Sequence, residues 1–301
     1  MTDHPTLAQV VEALDRRFPP GAAEQWDRVG LVVGDPASPV RRVLFAVDPV
    51  LDVVEEAELR GADLVVTHHP LLLRGVHSVA ATGAKGAVVH RLIRSGIALY
   101  AAHTNADVAR PGVADALAEA LGLLDVRPLL PSRTSGEAPA SADLLDGTGT
   151  GRVGRLPVAE PLSVFVTRVA AALPPTAAGV RFAGDPTATV SSVAVLGGSG
   201  DGFFDAVRAA GVDVYVTADL RHHPASEARE QAQFDAATGR RTAATPYLVD
   251  VSHAASEWLW LPAAAANLVA DLGGSVTTHV STLRTDPWTG QVASPTFEGA
   301  L

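Results

Sequence analysis

The chain has no cysteine among its 301 residues. That excludes a disulfide framework, a thiolate nucleophile and a thiolate zinc site, so any metal must be held by histidine and carboxylate. Lysine is reduced to Lys85 alone, and 23 Lys plus Arg stand against 33 Asp plus Glu, a formal net charge of −10. An acidic chain with thinly spread charge offers no basic face to a phosphate backbone, so no nucleic-acid partner is expected. No apolar run reaches the roughly 18 residues that span a bilayer. The opening MTDHPTLAQVVEALDRRF carries acids where a signal peptide carries its basic region. A cytoplasmic protein without membrane association is the expectation. What the chain does have is 47% hydrophobic against 19% charged residues. That is enough for a large core, and at roughly 100 to 200 residues per domain it suggests about two domains.

The fold class expected is α/β: two α/β domains with mixed or parallel sheets and a metal cleft between them. Thr6 and Gln9 stand in capping-box spacing before Val10, Val11, Leu14 and Phe18, and Pro19-Pro20-Gly21 ends that helix. Residues 41–47 read as a strand, 51–60 as a helix closed by Gly61, 63–67 as a strand, 86–95 as a helix and 97–102 as a strand. Such alternation implies parallel strands joined by right-handed crossovers. Residues 131–150 are rich in Ser, Gly, Ala, Thr and Pro without apolar periodicity, and read as a linker. Beyond it, 164–173 and 203–210 read as helices, and 190–196, 212–217 and 247–251 as strands. A helix over about 254–272 and a strand-like run at 276–283 follow. The resulting division is 1–130 with 252–301 as one domain and 151–251 as the other. The phrases Gly61-Ala-Asp-Leu-Val-Val-Thr67 and Gly211-Val-Asp-Val-Tyr-Val-Thr217 echo each other, each followed by paired histidines.

In open parallel sheets ligands bind beyond the carboxyl ends of the strands, so the residues following each strand carry the functional information. Asp48 follows the first of them, His68 and His69 the second, His103 and Asp107 the third. His253 and Glu257 stand four apart at a helix start, on one face and at chelating spacing. The donors His68, His69, His103, Asp107, His253 and Glu257 are all nitrogen and oxygen, suited to zinc, manganese, iron or nickel. They exceed what one open tetrahedral site uses. Two divalent ions about 3.5 to 4 Å apart, sharing a carboxylate and a bridging water of lowered pKa, would use them all. Taken singly, a His-His pair is commonly a loop feature, Asp107 could cap the helix that follows, and Glu257 could be a solvated helix residue.

Gly197-Gly-Ser-Gly200 could present backbone N–H groups to a phosphate or simply make a tight turn. His222 and His223 read as polar surface, and His4, His77, His90 and His279 as structural. There is no Gly-x-Ser-x-Gly elbow and no P-loop, which removes support for serine hydrolase and NTPase readings.

The motifs Trp26-Asp-Arg-Val-Gly-Leu31, Ala62-Asp-Leu-Val-Val-Thr-His-His-Pro-Leu-Leu72, His103-Thr-Asn-Ala-Asp107, Val195-Leu-Gly-Gly-Ser-Gly200, Thr217-Ala-Asp219 and Ser252-His-Ala-Ala-Ser-Glu257 occur in this order. In that order the sequence resembles the NIF-three-like dinuclear metal-centre family, whose members are usually labelled GTP cyclohydrolase 1 type 2 homologs. The resemblance spans about residues 5–270. It implies His68, His69, Asp107, His253 and Glu257 as ligands of two divalent ions per subunit, with His103 beside them as proton carrier. It also implies a homohexamer whose sites face an inner cavity, and a small-molecule substrate, possibly a nucleotide. The activity implied is hydrolytic, a metal-bound hydroxide attacking a nucleotide or related heterocycle such as GTP. The alternatives are a non-catalytic metal-binding ring scaffold or regulatory protein, and a single-metal esterase-like enzyme. Arg28, Ala218 and Ser252 depart from the family's usual Asn, Gly and Gly; Arg28 could meet a phosphate or pair with Asp27.

Overall fold

The structure is a computed structural model and describes residues 4–132 and 147–292. Most of the expected linker, residues 133–146, lies outside the described residues.

The chain opens with helix α1 (Leu7–Arg17), whose Thr6 hydroxyl accepts from the Gln9 backbone while the Gln9 side chain accepts from Thr6 N–H. Strands β1 (Gly30–Val33) and β2 (Arg42–Ala46), helix α2 (Leu51–Arg60), β3 (Leu64–Thr67), α3 (Ala84–Ser95) and β4 (Ala98–Ala101) follow. Then come the short α4 (Thr104–Val108) and α5 (Val113–Ala120), and next the paired strands β5 (Leu124–Pro131) and β6 (Gly149–Pro161). Helix α6 (Leu162–Ala172), β7 (Arg181–Ala183), β8 (Thr189–Ser199), α7 (Phe204–Ala210), β9 (Val214–Ala218), α8 (His222–Ala237) and β10 (Tyr247–Val251) continue the chain. The expected helix at 254–272 is two helices, α9 (His253–Trp258) and α10 (Trp260–Asp271), before β11 (Thr277–Val280).

Two sheets result. The first has order β1-β4-β3-β2-β11, and the second β5-β6-β8-β9-β10-β7. In the first, β4, β3, β2 and β11 run parallel, with β1 antiparallel at one edge. In the second, β8, β9 and β10 are parallel, flanked by antiparallel β6 on one side and β7 on the other. Strand alternation explains the layering. Val43, Phe45, Leu64, Val66 and Tyr100 pack against α1 and α10, while Leu44, Ala46, Val65 and Leu99 pack against α2 and α3. In the second sheet Val193, Val195, Val214, Val216 and Val249 share a core with α5, α6 and α9, and Ala194, Tyr215 and Leu248 with α7 and α8. Each such fully buried aliphatic contributes about 1.5 to 3 kcal/mol, which is why strands apolar on both faces lie inside.

Strand pairing divides the chain elsewhere than the composition suggested. Residues of β5, placed in the first domain by sequence, hydrogen-bond to β6 and so belong to the second sheet, and 149–150 of the expected linker are strand. Pro128 and the positive φ of Asp125 (54°) disguised β5, and both are tolerated because it is an edge strand. Among the described residues no helix is long and apolar enough to cross a membrane.

Candidate metal centre

Both sheets turn the carboxyl ends of their parallel strands toward one group of side chains. From the first sheet, β2 leads to Asp48, β3 to His68 and His69, and β4 to His103. From the second, β8 ends in Gly197–Ser199, β9 leads to Asp219, and β10 leads to His253 and helix α9. Glu257, one turn along α9, sits at the centre. Its Oε1 lies 2.9 Å from His253 Nε2 and 3.4 Å from His68 Nε2, and its Oε2 lies 3.1 Å from His69 Nε2. Asp107 Oδ1 is 3.8 Å from His68 Nε2. The donor atoms of His68, His69 and His103, and likewise those of His69, His253 and Glu257, lie within 4.8 Å of one another.

Every imidazole is held from behind. His68 Nδ1 contacts Ala102 O at 2.9 Å, His69 Nδ1 contacts Asp48 at 2.6 Å, His103 Nδ1 contacts Asp27 at 2.9 Å, and His253 Nδ1 contacts Asp219 at 2.7 Å. Carbonyls and carboxylates only accept, so each Nδ1 carries a proton and Nε2 is the atom each ring turns inward, a lone-pair donor once it is deprotonated. This is how metal-ligating histidines are oriented. The fit to a cation is reinforced by two strained atoms: His68 Nε2 and Glu257 Oε2 are buried without a well-formed hydrogen bond, meeting only Glu257 Oε1 at 3.4 Å and His69 Nε2 at 3.1 Å. Buried polar atoms so poorly partnered are costly and call for a better partner.

The electrostatics match. Burial disfavours charge on His69, yet Glu257's negative charge and the hydrogen bond to Asp48 outweigh it and push its pKa up to about 10. His253 is likewise pushed up to about 9 against its desolvation, by Glu257 and then Asp219. Glu257 is held well below the carboxylate range, because the His68 and His69 charges overcome its burial. Desolvation and the neighbouring His68 charge lower His103, with Asp27 opposing them. The positive charge that surrounds Glu257 in the metal-free protein is what a cation would replace.

Within Gly197-Gly-Ser-Gly200, residues Gly197 to Ser199 complete β8 and form the floor of the site. Gly198 has φ +70°, and a Cβ there would stand 2.4 Å from Glu257 Oε1. Its N–H donates to Ser256 Oγ at 2.9 Å, which ties the floor to α9. Asp107 lies inside α4 and is not the cap of α5, whose N-terminus is closed by Gly112 and Asp115. Arg28 donates to the backbone carbonyls of Gln25 and Asp27, while the Asp27 carboxylate turns to His103 and Thr104. His222 and His223 begin α8 on the surface. Sequence reasoning singled out Asp48 only as a strand-end carboxylate and gave Asp27 and Asp219 no role at the centre; the available signal was that Asp48 and Asp219 follow strands and that Asp27 and Asp219 lie within the family motifs.

A cavity of about 780 Å3 opens onto the cluster, lined by His69, His103, Asp219, His253, Arg181 and Trp288 among others.

A family model described as Duf34/NIF3 (NGG1p interacting factor 3) matches residues 5–287. A Streptomyces coelicolor protein named GTP cyclohydrolase 1 type 2 homolog is 52% identical over 99% of this chain and 98% of its own length. A Mycobacterium tuberculosis protein of the same name is 39% identical over 94% of this chain and 96% of its own. The crystal structure of a Bacillus cereus protein related to NIF3 superposes with TM-score 0.80 at 26% identity, covering 95% of this chain and 99% of that one. With a family match over nearly the whole length and relatives this similar, the chain belongs to the Duf34/NIF3 family.

Proposed function

We propose that this protein is a dinuclear metal-dependent hydrolase acting on a nucleotide or related heterocycle, with GTP ring opening as the first candidate. The observation that carries the reading is the convergence of three Nδ1-anchored imidazoles, His68, His69 and His253, on the buried Glu257 carboxylate, with the similarly anchored His103 beside them. His68, His69, Asp107, His253 and Glu257 would hold two divalent ions, with Glu257 shared because its two oxygens contact three of the rings. When bound, such ions supply Lewis-acid activation of water and of an electrophilic carbon. His103 has the chemistry of a proton carrier: Asp27 fixes its ring, and its lowered pKa keeps Nε2 free to accept a proton at neutral pH. The cavity is within the roughly 300 to 1,000 Å3 range of small-ligand sites. The name of the relatives, GTP cyclohydrolase 1 type 2 homolog, supports GTP as the substrate to try first. A homohexamer in solution belongs to the same proposal, and a monomeric mass by light scattering would remove it.

The test is elemental analysis of protein purified without chelator, alongside GTP turnover. His68→Ala and Glu257→Ala should lose metal and turnover together, whereas full activity in a metal-free variant overturns the mechanism. Two ions per chain with no turnover would favour the non-catalytic metal-binding scaffold, and one ion per chain the single-metal reading.

A further inference from the structure

After β11 the chain does not leave the molecule. Residues beyond Val280 continue past the carboxyl end of β2, and Thr285, Asp286, Pro287 and Trp288 line the cavity beside the cluster. The segment is fastened at successive points. The Trp258 indole N–H donates to Ser281 O at 2.8 Å, Ser281 Oγ donates to Glu56 at 2.6 Å, and the Ser252 hydroxyl, just before His253, donates to Asp286. Asp286 also accepts from Trp288 N–H at 2.9 Å, which sets the turn. Between these ties the Thr285 hydroxyl donates to Asp48 Oδ2, while Asp48 Oδ1 accepts from His69 Nδ1 at 2.6 Å.

We infer that Thr285 is a positioning residue of the metal centre, acting through Asp48 to fix the ring of His69, and that the C-terminal segment is therefore a working part of the site. The inference rests on reading the cluster as a metal centre. The physical argument concerns rotational freedom. Asp48 lies two residues beyond β2 at the rim of the cavity, with side chain 23% exposed, and a carboxylate bonded on one oxygen only can swing about its χ2. The Thr285 hydroxyl takes the other oxygen and fixes the carboxylate plane, and so the direction in which His69 Nε2 faces Glu257. The neighbouring ring is built the same way from local residues. His103 is held by Asp27, whose second oxygen accepts from Thr104 N–H at 3.0 Å and from its hydroxyl. His69 receives the equivalent support from a threonine 237 positions from its carboxylate.

The experiment is a metal titration of full-length protein, stripped with chelator and then loaded with zinc or manganese, on wild type, Thr285→Val and Thr285→Ser. Loss of the carboxylate that orients a metal-ligating histidine lowers metal affinity by roughly 10- to 100-fold, and loss of that carboxylate's own anchor by up to about the lower end of that range. That smaller loss is expected at one ion per chain in Thr285→Val, which keeps shape but lacks the hydroxyl, and Thr285→Ser should restore affinity. Thermal melts of the stripped proteins separate a packing role, because a merely structural residue would lower the melting temperature of both variants without moving metal affinity. Wild-type affinity in Thr285→Val, or loss in both variants, overturns the inference. Loading of wild type without GTP turnover would sink the hydrolase reading and leave this one standing. Failure of wild type to bind any divalent ion would sink both.

Discussion

The two echoing phrases reach different ends. In each, a helix closes on a left-handed glycine, Gly61 at φ 60° and Gly211 at φ 68°, and a fully buried strand follows, β3 or β9. After β3 the chain turns into the cluster and delivers His68 and His69 as inward-facing rings. After β9 it delivers Asp219 at φ 55°, whose carboxylate holds His253 from behind, and the next histidines, His222 and His223, are carried to the surface on α8. One unit supplies donors and the other supplies an orienting group. Proximity of a histidine pair to a strand end therefore does not decide its role; the direction of the following turn does.

The sharpest way to break this comparison is to treat the pairs alike. Replacing His68 and His69 by Ala should abolish metal loading measured by elemental analysis, while the same change at His222 and His223 should leave stoichiometry at wild type. Loss of metal from the second variant would overturn the division of roles. Nearly as large should be Gly198→Ala, since its Cβ would collide with Glu257 Oε1 at a φ that side chains rarely adopt. Calorimetric titration should find no tight site, and normal loading would mean that Glu257 is not needed where the structure puts it.

An intermediate effect is expected at the second unit's own contribution. Asp219→Asn keeps the shape but weakens the hold on His253 Nδ1, and should lower affinity by roughly 10- to 100-fold without emptying the site. An unchanged constant would make Asp219 a bystander.

The smallest effect is a pH dependence. His69 at about 10 and His253 at about 9 lie above the ordinary 6.5, so their charged rings stabilise the chelated fold fully below pH 6.5, and that contribution is lost as pH rises through 9 and 10. Glu257, depressed below 4.5, contributes above that value and loses its contribution on acidification. The melting temperature of chelated protein should fall between pH 6.5 and 10, while metal-loaded protein, whose ligands are already deprotonated, should not follow it. Parallel curves would argue that the rings are not charged when empty.

Much of the architecture could be read from residues alone. The strands recognised, β2, β3, β4, β8, β9 and β10, are apolar on both faces and parallel, and their hydrophobic runs leave no other reading. Those missed are β1, β5 and β7, antiparallel edges only partly buried, and β6, an interior strand antiparallel to both neighbours whose apolar run is broken by Gly149, Gly151 and Gly154 and by its exposed residues 157–159. Helix α8 escaped for a related reason: of its residues only Ala228 and Ala232 are buried, too weak a stripe to announce itself. Four-residue spacing and strand-end placement made His253, Glu257, His68 and His69 legible as donors.

The sequence by itself determined which side chains can bind a cation, because donor chemistry and short-range spacing are local properties. It also determined which strands are buried, because hydrophobic runs are local too. Only the tertiary structure decided that carboxyl ends from two sheets face one another, that Gly198 is bare to admit Glu257, and that Thr285 reaches Asp48 across most of the chain. Contacts of that kind depend on how sheets pack rather than on neighbouring residues, and no short window of sequence carries them.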